Sequence, residues 1–433
     1  MDMRPGYKQT EVGEIPEEWD AVSLGSIGES LIGLTYAPTD VRSSGTLVLR
    51  SSNIQNDALA FEDNVFVKKE IPERIMVQPG DVLICVRNGS RNLIGKAALL
   101  DERTDGMTFG AFMAVFRSKI GALVNYHFQS ETLKRQINEH LGATINQITN
   151  KSLNSFVIPL PSDPNEQLAI AEALSDVDSA IEGLSCLIAK KRDLHTGAMQ
   201  RLLTGETRLP GFVDPWQEKR LGDHVSFLRN GVHSRAQLTV NDPVSYLHYG
   251  DIHASSSLRL DLSQAMMPRL PAAAAARLTR LEDGDVVFVD ASEDLVGVGK
   301  SVEIEGANGV EAVAGQHTIA ARFDKQVLAD GFKGYLQFVP AFIAHLRRLA
   351  AGTKVYATNR KHIASAEIAL PEPDEQRAIA RVLSDMEAEI AALEARLAKT
   401  RDIKQAMMQA LLTGRVRLPV PAVETCEPEA AHA

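Results

Sequence analysis

Cysteine is scarce. Cys85, Cys186 and Cys426 are the only three in 433 residues, too widely spaced to chelate a metal or act as a redox pair. That excludes a disulfide scaffold and fits reduced thiols in a cytoplasmic chain. No apolar run approaches the ~18 residues of a membrane-crossing helix, and Met1–Lys8 lacks the apolar core of a signal peptide, so no membrane partner is expected. Excess positive charge is also missing. The net charge is −10, which argues against a uniformly basic nucleic-acid binder. The acidity is local, however. Residues 1–19, 163–208 and 418–433 carry −3 each, whereas 20–151 balance to zero and 217–365 carry +1. A near-neutral block of that size has room for a basic face.

The parts of common catalytic machinery are missing too. There is no Glu-x-Lys triplet for a metal nuclease, no Asn/Asp-Pro-Pro-aromatic loop for gripping a flipped base, no His-Glu-x-x-His and no Gly-x-Ser-x-Gly. Gly297-Val298-Gly299-Lys300-Ser301 resembles the end of a phosphate-binding loop, but Asp294 stands where that pattern needs glycine. In a parallel stretch, Gly95-Lys96 is followed by Ala97, which has no hydroxyl for magnesium. The 11 histidines, among them His195, His224 and His233, do not fall at metal-ligand spacing. The expectation is a chain with no catalytic residues, no metal and no cofactor.

What is present is a repeat. Residues 166–210 align without a gap to 375–419, and 23 of the 45 positions are identical. Glu166-Gln167 matches Glu375-Gln376, Leu174-Ser175-Asp176 matches Leu383-Ser384-Asp385, and the segments close on Leu202-Leu203-Thr204-Gly205 and Leu411-Leu412-Thr413-Gly414. The blocks ahead of each copy share sparser marks. Trp19…Leu24-Gly25 matches Trp216…Leu221-Gly222, Gly80-Asp81-Val82 matches Gly284-Asp285-Val286, and Gly95-Lys96 matches Gly299-Lys300. Shared punctuation with divergent text between it suggests one fold carrying two different surfaces.

Inside the repeat, apolar residues fall at Ile170, Leu174, Val177, Ile181, Leu184 and Ile188, and again at Ile379, Leu383, Met386, Ile390, Leu393 and Leu397. The alternating spacing of four and three is a coiled-coil seam, and two matching seams predict helices that pair with each other. Pro161 and Pro164, then Pro371 and Pro373, open the helices, and Gly205 and Gly414 end them. A 38-residue helix is about 57 Å long. In the larger blocks, Leu47–Leu49, Asp81–Val86, Ala114–Phe116 and Asp285–Val289 read as strands, and Leu123–Leu141 and Gly331–Leu349 as helices. The expected class is α/β: two mixed domains joined by two long antiparallel coiled-coil helices with an internal pseudo-two-fold.

With Pro159-Leu160-Pro161…Glu166-Gln167, its second copy Leu370-Pro371…Glu375-Gln376, the twice-used Leu-Leu-Thr-Gly-x-x-Arg-Leu-Pro and Leu93-Ile94-Gly95-Lys96, the chain resembles the specificity (S) subunits of Type I restriction–modification systems over nearly its full length. The resemblance implies target-recognition domains at residues 1–160 and 209–370, a central helix at 161–208, a C-terminal helix at 371–418 and a disordered tail at 419–433. It implies a non-catalytic subunit of a phage-defence and DNA-methylation complex. Each domain would read half of a bipartite double-stranded DNA site. The helices would act as a ruler, spanning at most about 17 base pairs, and dock two methyltransferase (M) subunits, with restriction/translocase (R) subunits as further partners.

DNA reading needs Arg, Asn, Gln and small polar groups on loops. The first domain offers Arg50, Ser51 and Asn53; Arg87, Asn88, Ser90, Arg91 and Asn92; and Asn146, Gln147, Asn150 and Lys151. The second offers Arg229, Asn230, His233 and Arg235; Ser292, in an acidic loop where the first domain has Arg87–Asn92; and Thr353, Lys354, Tyr356, Thr358, Asn359, Arg360 and Lys361. That difference is what two unlike half-sites require.

Overall fold

Proline and glycine set the ends of two 39-residue helices, Pro164–Leu202 and Pro373–Leu411. The computed structural model describes residues 4–141, 146–255, 257–295, 297–350 and 356–419. Residues 420–433 of the expected tail lie outside that range. A proline at the first helical position loses nothing, because that N–H has no partner in a helix. At the other end Gly205 and Gly414 take the left-handed conformation, with φ of +72° and +68°. Each donates its N–H three residues back, to Leu202 or Leu411, and Thr207 or Val416 then donates to Arg201 or Ala410. The same helix terminator is thus built twice. The two seams are buried alike: Ile170 and Leu174, like Ile379 and Leu383, are in the core, and the middle positions are half-buried. Among the described residues no helix is long and apolar enough to cross a membrane.

The chain forms two compact units, residues 1–185 with 395–433, and residues 186–394. In each unit half of one long helix runs antiparallel to half of the other. In the first, Asp178 meets Lys404 at 2.7 Å and Glu166 meets Arg417. In the second, Glu387 meets His195 at 3.3 Å, Glu389 meets Lys191 at 2.7 Å and Glu375 meets Arg208 at 2.5 Å.

Of these ties, Glu166 with Arg417 and Glu375 with Arg208 are made by residues identical in the two copies. Glu166, 2% exposed, accepts from Arg417 Nη2 at 2.7 Å and from Trp19 Nε1 at 3.2 Å. Glu375 accepts from Arg208 Nη2 at 2.6 Å and from Trp216 Nε1 at 3.3 Å. Buried carboxylates need such partners, and these have a guanidinium and an indole N–H each. A second rung repeats as well. Tyr126 donates to Asp178 at 3.0 Å, and Tyr335 donates to Glu387 at 3.1 Å.

Each unit also carries a twisted sheet. In the first the order is Ala97–Leu99, Val82–Cys85, Met113–Arg117, Glu29–Ile32, antiparallel throughout. In the second it is Val225–Phe227, Thr318–Phe323, Val286–Val289, Ser301–Glu305, with Arg259–Asp261 added in parallel at the edge. Strands Val82–Cys85 and Val286–Val289 are apolar at every position because both faces are covered. Val82 and Ile84 enter one core and Leu83 and Cys85 another; Val286 and Phe288 are likewise separated from Val287 and Val289. A smaller sheet places Thr46–Leu49 beside Thr108–Phe109, and Val244–Leu247 beside Ala312–Ala314, both parallel.

The Gly-Asp-Val marks have a structural cause. Gly80 and Gly284 turn the chain at φ +90° and +86°. The next residue, Asp81 or Asp285, is buried and grips a guanidinium on a neighbouring strand, Arg117 at 2.7 and 2.8 Å or Arg322 at 2.7 and 2.8 Å.

Two expected helices differ. Leu123–Leu141 is broken into Gly121–Gln129 and Glu131–His140, because Ser130 leaves helical geometry and caps the second piece through Leu133 N–H. Gly331–Leu349 becomes a 3₁₀ segment, Lys333–Phe338, and an α-helix, Pro340–Leu349. Pro340 has no N–H to continue a helix through it but suits a first turn.

Arg417→Met strands the Glu166 carboxylate in the core. A fully buried pair broken in this way loses ~3–5 kcal/mol, and because Arg417 is over a third exposed the expected loss in urea denaturation is about 2–4 kcal/mol. The two units should also answer pH in opposite directions. Burial holds His127 down to about 3, so the unfolded chain takes up a proton that the first unit refuses, and that unit weakens as pH falls below about 6.5. Burial pushes Glu303 up to about 7, against N–H donations from Gly331 and Gly334. The stability this carboxyl contributes in its neutral form is present at acid pH and is lost as pH rises through about 7. Calorimetry at pH 5.5 and 8 should show the two transitions moving oppositely, with the second unit's slope reduced in Glu303→Gln.

Candidate nucleic-acid interface

In the first unit two of the sequence-predicted loops line one cleft of about 740 Å³, and a third is bonded to them. Arg50, Ser51, Arg87 and Asn88 line it, together with Tyr36 and Phe112. Loop 87–92 and loop 146–151 are joined by the bridge Arg87–Gln147 and by Asn146 Nδ2 donating to the Gly89 carbonyl at 3.3 Å. Asn88 Nδ2 donates to Ser51 Oγ at 3.3 Å, which links the first two loops. Arg87, Ser90, Asn92, Asn146 and Lys151 are exposed. Arg91 is exposed too and donates to the Asn138 carbonyl at 2.9 Å. Arg50 pairs with Asp63 at 2.9 Å. The Arg87 guanidinium lies 5.1 Å from the centre of the Phe112 ring, a stacked cation–aromatic pair at the mouth.

In the second unit a cleft of about 920 Å³ is lined by Tyr249, His253, Ser292, Glu293, His317 and Lys300, among others. Beside it the Arg229–Arg235 loop is held by Arg360, which donates to the Leu228 carbonyl at 2.7 Å and to Asn230 Oδ1 at 3.1 Å. Arg235 reaches Asp251 at 2.9 Å, and the His233 N–H donates to the Tyr246 hydroxyl. Arg229, Arg235, Arg360 and Lys361 are exposed, and Tyr356 is half-buried. Thr353 and Lys354 lie outside the described residues.

Several predicted contact residues are used inside their own domains. Asn53 is fully buried; its carbonyl oxygen accepts the Arg50 N–H and its amide donates to Ala60 and Asn64. Asn150 donates to the Ser30 carbonyl. Asn359 caps the helix Arg360–Ala364 by accepting from Lys361 and His362 N–H. Ser292 and Thr358 are buried. Loop residues with short polar side chains serve backbone shape as readily as ligands, and these five shape the loops that present their neighbours. The lysines of the phosphate-loop look-alike have a structural use as well. Lys96 Nζ donates to the Ile54 carbonyl at 3.1 Å, and Lys300 Nζ to the His253 carbonyl at 2.6 Å. Among the described residues no three His, Cys, Asp or Glu side chains gather as a metal site.

The two clefts share one backbone scaffold. Val86 N–H donates to Phe112 O and Ile148 N–H to Val86 O; in the second unit Asp290 N–H donates to His317 O and Thr358 N–H to Asp290 O. Gly110 N–H donates to Leu49 O, as Gly315 N–H does to Leu247 O. On this common frame the first cleft presents Arg50, Arg87 and Phe112, and the second Ala291 and His317, with the buried His248 in the place of Arg50. Sequence reasoning missed Tyr36, Phe112, Tyr249, His253 and His317. The usable signal was the pair Gly110-Ala111-Phe112 and Gly315-Gln316-His317, which lies one residue off the common offset of the glycine marks.

Comparison with known proteins agrees with this geometry. Residues 16–187 match the family described as Type I restriction modification DNA specificity domain. The specificity subunit of the Type I restriction enzyme StySPI of Salmonella potsdam is 26% identical over 390 residues, 85% of this chain and 82% of that protein. The EcoKI specificity subunit of Escherichia coli K12 is 23% identical over 431 residues, 93% and 90% of the two chains. In fold, the crystal structure of a Type I S subunit from M. genitalium superposes with a TM-score of 0.57 at 15% identity, covering 95% of this chain and 99% of that one. A duplicated α/β framework, paired helices tied by their repeated ends, and these matches lead to one conclusion: residues 16–187 match a Type I restriction modification DNA specificity domain, and along most of its length the chain is similar to Type I restriction enzyme specificity subunits.

Proposed function

We propose that each α/β domain reads one half of a bipartite double-stranded DNA site. In this reading the recognition domains are residues 1–160 and 209–370, and the helices 161–208 and 371–418 set the unread spacer. The same helices dock two M subunits, and R subunits add to that core in the cytoplasm. The observation that carries the reading is the common scaffold with unlike linings. An Arg- and Phe-bearing cleft and a His- and Tyr-bearing cleft stand on the same hydrogen-bonded frame, as two different half-sites call for.

Base edges in the major groove are told apart by donor, acceptor and methyl positions. Arg87 is the first cleft's candidate for guanine, and Gln147 stands beside it. Arg229, Arg235, Arg360 and Lys361 are the second domain's candidates for phosphate. The near-neutral net charge of each block matches a surface basic on one side only. The solvated acidic residues of the helices suit protein partners better than DNA.

Co-expression with a cognate methyltransferase in a methylation-free host, followed by sequencing of modified bases, tests the reading. The expected result is one split motif modified in both halves. Absence of methylation with the methyltransferase folded and bound would replace DNA reading by a purely structural adaptor. Binding of the assembled complex should fall log-linearly with salt, by several decades between 50 and 200 mM if roughly 6–10 phosphates are engaged. For the ruler, inserting one heptad into both helices should lengthen the spacer, and insertion into one alone should abolish activity. A spacer unchanged by matched insertions would remove the ruler from the reading.

A further inference from the structure

We propose that Phe112 in the first domain and His317 in the second occupy one equivalent, specificity-determining position, each choosing a base in its own half-site. The inference rests on the DNA reading above and goes further by naming the residues that discriminate.

The equivalence is one of backbone, not of sequence likeness. Each residue sits two positions after a glycine whose N–H is locked to the parallel neighbour strand, Gly110 to Leu49 at 2.9 Å and Gly315 to Leu247 at 2.8 Å. Each offers its carbonyl to the end of the central strand, Phe112 to Val86 and His317 to Asp290, both at 3.1 Å. The turn is therefore anchored on both sides in both domains, and between the anchors the side chain differs, as does the backbone, since of the two only His317 is left-handed. That side chain is outside: Phe112 is 60% exposed and the His317 side chain 52%. Each lines the cleft of its domain.

The local cost points the same way. A large aromatic at 60% exposure forgoes burial that the core would reward. His317 holds φ at +58°, the left-handed region that a residue with a Cβ seldom enters. Of the described residues other than glycine, only Asn56 and Asp57 share that feature, and they form the tip of a hairpin. Strain kept at an exposed tip within a cleft is the pattern of a functional position.

The two tips have unlike chemistry. Phe112 presents an apolar edge with the Arg87 guanidinium over its ring. Such a pair suits a thymine methyl beside a guanine, and it rejects a base that needs a hydrogen bond where the ring stands. His317 has its Nδ1 3.3 Å from Asp290 Oδ1 and its ring edge-on to Tyr249, with centroids 5.5 Å apart. With Nδ1 set against that carboxylate, Nε2 is the imidazole atom left for a base edge. Exchange of these two residues would exchange a methyl reader for a polar reader.

The test uses the full chain with a cognate methyltransferase and reads modified bases in the host's genomic DNA. Phe112→Ala should relax one position in one half of the motif, with methylation at sites carrying another base there rising about 10- to 100-fold, and leave the other half unchanged. His317→Ala should do the same in the opposite half only. The untouched half reports that the protein is folded and assembled. An unaltered motif in either variant overturns the assignment of that residue. If a variant loses methylation altogether, Phe112→Leu and His317→Gln decide: a motif changed in one half sustains the assignment, and an unaltered motif or continued total loss overturns it. Failure of the underlying reading looks different, because the wild-type chain itself would then yield no split motif.

Discussion

The ion pair between a buried glutamate at the start of one long helix and an arginine just past the end of the other is the contact on which the remaining structure depends. Glu166 needs Arg417, and Glu375 needs Arg208. A carboxylate at 2% exposure is unfavourable unless its charge and lone pairs are met. Here the guanidinium meets the charge and Trp19 or Trp216 supplies a further N–H. Each glutamate thereby fixes the antiparallel register of its helix pair. It also fixes the tryptophan, and in the first unit Trp19 begins the strand that pairs with Val157–Pro161 just before the helix. Helix pairing and domain attachment are one interaction seen from two sides.

Beyond that tie, the two domains separate framework from surface by physical necessity. Buried backbone donors must all be satisfied, so the bonds around the central strands, the Asp–Arg grips and the lysines that hold loop carbonyls occur in both copies. The side chains at the rim differ between the copies: Arg50 pairs with Asp63 and Arg87 lies over Phe112 in the first, and His317 faces Asp290 in the second. Phe112 and His317 hang on the same pair of main-chain hydrogen bonds. A scaffold that fixes main chain and leaves tips open supports different surfaces at little cost to the fold.

Much of this was legible in the residues, and the reason differs by element. The long helices were readable because seam spacing, opening proline and closing glycine all agree, which is when local signals are dependable. The central strands were readable because burial on both faces makes them continuously apolar. The breaks at Ser130 and Pro340 were missed because helical periodicity runs on across them, and only the capping chemistry shows the stop. Among the candidate contact residues, loops 50–53, 87–92 and 146–151 were picked out one by one, and their hydrogen bonds to one another could not be read from the sequence. Asn53, Asn150 and Asn359 could not be told from ligands, because a short amide that caps a turn and one that faces a groove look the same in sequence. Phe112 and His317 were overlooked for the opposite reason: a single aromatic or histidine in a strand-like stretch reads as core.

The reciprocal tie has a consequence for the order in which the chain can be completed. The second unit is contiguous, residues 186–394, and its glutamate finds its arginine 167 positions away. The first unit is assembled from the beginning and the end of the chain, and Glu166 waits for Arg417, 251 positions on. During synthesis the domain that emerges first is therefore the last to be closed. Until the final helix is made, its buried carboxylate lacks Arg417, and the apolar face of Ile170 and Leu174 lacks the cover of Met408, Leu411 and Leu412. The C-terminal helix thus acts as the latch of the N-terminal domain, and interruption of translation near the end leaves exposed the surface that most favours misassembly.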